Sequence, residues 1–180
     1  MTGWNMSRTR ISLALILLLT ACGGQSPSNP PVDDSPDLEQ AAIASGAIDD
    51  ASKVDPSGLF LRRHEGGADM LCMIPDGDRE YRFGALAMSG GKSRCIGRGR
   101  AKRAGQLLVL RFDKPSRCII VAQYEGDRVA LAGAVDLECD KLCTERASFA
   151  GVSVPRVSSS SGLAESVRGL DGEPMCRRPS

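Results

Sequence analysis

Apolar and polar residues trade places along the chain with a period of two from Gly58 onward, the spacing of half-buried β-strands. Strands are predicted near residues 59–63, 69–74, 81–88, 94–102, 106–112, 118–124, 128–135 and 147–154. Short turn-like stretches separate them: Glu65-Gly-Gly, Pro75-Asp-Gly-Asp, Ser89-Gly-Gly-Lys and Glu125-Gly-Asp. Strands joined by tight turns are antiparallel neighbours. Leu108, Leu110 and Phe112 share one side of their strand. Over residues 94–103 the even positions are Arg94, Ile96, Arg98, Arg100 and Lys102, while the odd ones are Cys95, Gly97, Gly99, Ala101 and Arg103. Charge thus falls on one face and small residues on the other.

The expected fold is all-β: a small antiparallel up-and-down meander barrel of about eight strands, with a short N-terminal helix and three disulfides. Cys72, Cys95 and Cys118 recur at a constant interval of 23 residues. Matching turns, Asp76-Gly-Asp-Arg79 and Glu125-Gly-Asp-Arg128, follow the first and last of them. A repeated strand-turn-strand unit builds a meander, and closure removes its exposed edges. Gly and Ala on one face let strands coil closely, which predicts a filled barrel rather than a roomy cup.

The first part of the chain is patterned differently. Residues 1–10 carry Arg8 and Arg10 and no acid, and an apolar run over residues 11–19 leads to Thr20-Ala21-Cys22. A basic start, a short apolar run and small residues before a cut site make a secretory signal. The run is too short to span a bilayer, which needs about 20 residues. Residues 23–36 are Gly, Gln, Ser, Pro, Asn and Asp with one Val, a solvated tether. Asp37 as N-cap, Gln40 and the terminator Gly46 predict a short helix after it. The expected organisation is a leader over 1–21, a tether over 22–36, a helix and connection over 37–57, and the barrel over 58–180.

Leu19-Thr20-Ala21-Cys22 resembles the lipobox of bacterial lipoproteins. That resemblance implies cleavage before Cys22 and acylation of its thiol and new amino terminus, palmitate included. Two or more acyl chains anchor a protein stably. Gly23 rather than Asp after the cysteine implies the outer membrane, with the domain at the periplasmic face or exposed at the surface. More loosely, the domain is similar to small lipocalin-like or inhibitor-type β-barrel lipoproteins. Ser89-Gly90-Gly91-Lys92 is similar to a loop of lysozyme inhibitors, without the tyrosine expected there.

Charge adds little: 23 Lys and Arg against 22 Asp and Glu give a net charge of +1, so no global field points to nucleic acid. Apart from Cys22, the cysteines are Cys72, Cys95, Cys118, Cys139, Cys143 and Cys176. An even set in an exported small domain reads as disulfides. Six cysteines admit fifteen pairings. Cys72, Cys95 and Cys118 are expected at like positions on alternate strands, roughly 9.6 Å apart, beyond the usual disulfide limit of about 7 Å. Cys139 and Cys143 lie badly for each other within a helical turn. Pairing each barrel cysteine with a C-terminal one leaves six connectivities. Strand direction then favours Cys118 with Cys139 and Cys95 with Cys143, leaving Cys72 for Cys176.

Candidate chemistry is sparse. His64 is the single histidine, set in a turn-rich stretch without the third group that would orient a catalytic base. Ser89-Gly-Gly-Lys-Ser93 lacks the first glycine of a P-loop, and Gly97-Arg-Gly-Arg100 is no dinucleotide fingerprint. Cys139-Asp-Lys-Leu-Cys143 lacks further ligands for a metal, so no cofactor or metal is expected. Asp76, Asp78, Glu125 and Asp127 read as turn acids. Lys92, Arg94, Arg98, Arg100, Lys102 and Arg103 crowd one strand and its turn. They are either a contact face for an anionic envelope glycan, lipid head groups or an acidic protein, or charges that keep an exposed strand soluble. The expected function is a lipid-anchored, non-enzymatic binding or inhibitor module, with a structural or assembly role as spacer or protein partner as the alternative.

Overall fold

The computed structural model describes residues 37–176, so the leader, Cys22 and the tether lie outside the described residues. The chain separates into two units, 1–41 and 42–180. Helix α1 (Leu38–Ala44) lies at the division, and none of its residues is buried.

Eight antiparallel strands close into a barrel in sequence order. They are β1 (Gly58–His64), β2 (Gly67–Gly77), β3 (Glu80–Met88), β4 (Arg94–Ala104), β5 (Leu107–Phe112), β6 (Ile119–Tyr124), β7 (Arg128–Leu131) and β8 (Ser153–Ser158). β1 closes the ring against β8 through an irregular register at Leu59/Phe60. The strong alternation of the sequence fixes which side of each strand turns inward, because a one-residue slip would expose the whole apolar set.

Inward residues fill the lumen. Phe60, Phe83, Leu108, Leu110, Ile120, Tyr124 and Val129 are all at most 1 % exposed. Phe83 meets Phe112 edge to face at 5.0 Å, and Phe112 leans on Phe149 at 5.6 Å. A residual void of about 10 Å³ among Leu71, Ala85, Phe149 and Val154 holds no more than a water. The barrel is filled.

One glycine permits close approach between strands, and a second permits close approach of the tail outside the barrel. A side chain at Gly99 would place its Cβ 2.0 Å from the carbonyl oxygen of Arg111 on β5, and one at Gly84 would fall 2.4 Å from that of Met175. Close backbone approach is what glycine inside a strand allows.

The last quarter of the chain departs from expectation. β7 ends at Leu131 rather than running to residue 135, and the final strand is Ser153–Ser158 rather than 147–154. Residues 132–134 are exposed, and Asp136 caps a 3₁₀ helix, Leu137–Leu142, by accepting the N–H of Glu138 at 2.8 Å. Ala147 and Phe149 are buried, but by a loop that dips into the barrel mouth. Apolar character there marks a cap, not a strand.

Beyond β8, helix α2 (Ser161–Ser166), capped by Ser160 accepting from Leu163 N–H, starts a tail on the outside of the barrel. Ala164, Met175 and Cys176 pack with Leu59, Cys72, Ile74 and Leu86 on the outer side of β1–β3.

The disulfides are Cys72–Cys176, Cys95–Cys143 and Cys118–Cys139, with Cα separations of 6.0, 3.9 and 4.8 Å. This is the pairing that strand direction favours. The two shorter links tie the cap to the mouth, and the longest one pins the tail. The even spacing of Cys72, Cys95 and Cys118 is nonetheless not a structural repeat. Cys72 lies on the outer side of β2, whereas Cys95 and Cys118 belong to the inner core.

Candidate contact face

The tail covers one side of the barrel and leaves the outward positions of β5 and β6 uncovered. Leu107, Ile119 and Val121 are 41 %, 41 % and 46 % exposed. Strand register sets their neighbours in rows. Across the first row stand Arg82, Arg100, Arg111 and Ile119; across the second, Glu80, Lys102, Val109 and Val121. Arg82, Arg100 and Arg111 are therefore directly opposite one another on three adjacent strands. Like charges in that relation repel and cost stability. Asp76 offsets part of the repulsion: its carboxylate accepts from Arg82 Nε at 2.9 Å and lies 3.9 Å from Arg100 Nε. The side chain of Arg111 makes no hydrogen bond or ion pair among the described residues.

The cationic residues singled out in the sequence do not act as one set. Arg100 and Lys102 project outward with exposed side chains, Lys102 lying 3.8 Å from Glu80. Arg98 is held by the tail, donating to both oxygens of Asp171 at 3.0 and 3.2 Å and to Pro174 O at 3.1 Å. Lys92 is in the β3–β4 turn, and its carbonyl accepts the Thr144 hydroxyl at 2.8 Å. Arg94 donates its backbone N–H to the same hydroxyl oxygen at 3.2 Å.

Arg103 belongs to the other face, as its odd position in the alternation requires. Its guanidinium donates to the carbonyls of Val54 and Ala51 and lies 5.3 Å from the Tyr124 ring centre. Arg111 was not among the expected contact residues. The alternation contained it: Leu108, Leu110 and Phe112 turn inward, so Leu107, Val109 and Arg111 turn out.

Arg103 is part of a plug at the end of the barrel where β2 runs into β3. Arg156 lies over the rings of Phe60 and Tyr124, at 5.1 and 5.6 Å, and donates to the carbonyl of Asp55 at 2.7 Å and to the Tyr124 hydroxyl. Stacked guanidinium groups are attracted by aromatic faces. Burial of Tyr81, and the hydrogen bond its hydroxyl donates to Asp55 Oδ2 at 3.0 Å, push its pKa up to about 12. A cleft of about 540 Å³ opens beside this plug, with Lys53, Asp55, Asp78, Arg79 and Arg103 on its walls. The inner groups of that cleft are already committed: Asp55 accepts from Ser57 and Tyr81, and Arg103 donates to three carbonyls.

His64 ends β1 rather than lying in the turn itself. Its Nε2 is 3.2 Å from Asp69 Oδ1, and its Nδ1 accepts the Gly66 N–H at 3.1 Å. Asp69 is 2 % exposed and also accepts from Arg62 at 2.7 Å and from the Met88 N–H at 3.0 Å. Burial alone would raise the Asp69 pKa, but those three donors outweigh it and hold the carboxyl below its usual range. Both imidazole nitrogens are occupied within the hairpin. A triad histidine needs one of them free for its nucleophile, although Ser89 and Ser148 line the same shallow pocket.

Comparison with protein-family models, with curated proteins and with solved structures finds no match for this chain.

Proposed function

We propose that this chain is a lipid-anchored protein of the bacterial cell envelope, held to the outer membrane through acyl chains on Cys22, whose barrel is a non-enzymatic binding or inhibitor module. The observation that carries the binding reading is the uncovered outer face of β4–β6, where Arg100, Lys102 and Arg111 adjoin Val109, Ile119 and Val121 in register. A sequence shaped only for solubility gains nothing from arginines placed directly opposite each other. A packed lumen and a histidine with both nitrogens committed also favour recognition at the surface over chemistry in a pocket. The lipid anchor rests on Leu19-Thr20-Ala21-Cys22.

Metabolic labelling with an alkyne fatty acid tests the anchor. The expected result is labelled protein in the membrane fraction and no label on the Cys22→Ser variant. Label that persists on that variant contradicts the reading.

A further inference from the structure

We infer that the outer face of β4–β6 is a second membrane contact, docking the barrel on anionic phospholipid head groups. The inference deepens the binding reading above and rests on it. From β4 to β7 the outward positions include Arg94, Arg98, Arg100, Lys102, Arg111 and Arg128, and none is an acid. Arg98 is neutralised by Asp171 of the tail. Arg100 and Lys102 each lie near one acid, Asp76 at 3.9 Å and Glu80 at 3.8 Å, so the excess of positive charge on this side comes from Arg94, Arg111 and Arg128, although the whole chain carries a net charge of only +1.

The arrangement of apolar groups identifies the occupant. Val109 and Val121 continue the row of Lys102, Ile119 continues that of Arg100 and Arg111, and exposed Leu107 lies on the same side of β5, so aliphatic and cationic groups share one surface. A soluble polyanion would satisfy the cations and leave the aliphatics in water. A sugar-binding surface would present an aromatic ring, and the outward positions of these strands carry none. A bilayer interface meets both demands: phosphates pair with guanidinium groups bidentately, and short aliphatic side chains enter the head-group boundary. Arginine stems lie along apolar surface while their heads stay at the phosphates. The repulsion between Arg100 and Arg111 is relieved when a phosphate lies between them. Each basic residue near an anionic surface contributes about 1 kcal/mol, equivalent to a several-fold change in partition. Such a contact would fix which side of a tethered barrel faces the membrane.

Vesicle flotation tests this with the full chain carrying Cys22→Ser, so that no acyl group contributes and the leader is common to every arm. Vesicles are phosphatidylcholine alone or with about one-third phosphatidylglycerol. The expected result is at least tenfold stronger partition to the anionic vesicles, lost at high salt and lost in Arg100→Glu/Arg111→Glu. Ile119→Thr/Val121→Thr, which keeps β-branched residues, should weaken partition several-fold with an unchanged melting curve. Equal partition to both vesicles, or insensitivity to the arginine reversals, overturns the inference. Full binding by the threonine variant overturns it in favour of a purely electrostatic polyanion site. None of these outcomes depends on acylation, so failure here is separate from failure of the fatty-acid labelling above.

Discussion

Arg100 on β4 and Arg111 on β5 stand directly opposite each other on the outside of the barrel, two cations in register on neighbouring strands. The pair is a local cost that the fold tolerates, since packing of the lumen and three disulfides hold the strands in register regardless. A cost that the scaffold can carry is where a binding role leaves its mark.

The pair therefore predicts a trade of function for stability. Arg111→Glu converts a like-charge pair into an opposite-charge one and should stabilise the fold by about 0.5 kcal/mol, raising the melting temperature by roughly 1–2 °C. The same change should weaken anionic contact. A lowered melting temperature would mean that the two guanidinium groups do not face each other.

Asp69 makes stability depend on acid. Its carboxyl titrates below the usual range in the folded state, so its contribution is present above the unfolded value of about 3.9 and is lost as pH falls through the folded value. Asp69→Asn should be less stable than the natural protein at pH 7, with the difference narrowing below about pH 4. Denaturant melts at several pH values check this. A constant difference would place the ionic bonds of Asp69 outside the account. His64→Ala should cost far less, because Arg62 and the Met88 N–H still hold the carboxylate.

Release of the tail has a specific signature. Cys72→Ala/Cys176→Ala opens the longest loop, which spans 104 residues, and should cost roughly 2–4 kcal/mol. Met175 should then leave its seat on Gly84, while the two disulfides of the cap stay closed. Hydrogen exchange would show faster exchange at residues 161–176. Equal loss of protection across β4–β6 would contradict a tail that acts as a separate layer.

The barrel was legible because its information is local: alternation and turn residues name the strands, and their direction limits the cysteine pairs. The cap over residues 132–152 was not. Val135, Ala147 and Phe149 carry the apolar signal of strand residues, and only the dip of the loop into the mouth distinguishes them. Arg98 looked like a free surface cation because its partner, Asp171, lies 73 residues away along the chain. The role of His64 was hidden in the same way, since Asp69 reaches it only once the β1–β2 hairpin forms. Arg111 was visible in the pattern but isolated among apolar neighbours, and it gains meaning only from the register that sets it against Arg100.

The contact face is tested most directly by photocrosslinking in cells expressing the chain, with a photoreactive residue at Val121 in one variant and at Val157 in another. Both positions are exposed, on β6 and β8 respectively. The account predicts adducts from position 121, carrying lipid, and few or none from position 157. Adducts from 157 with none from 121 would contradict it.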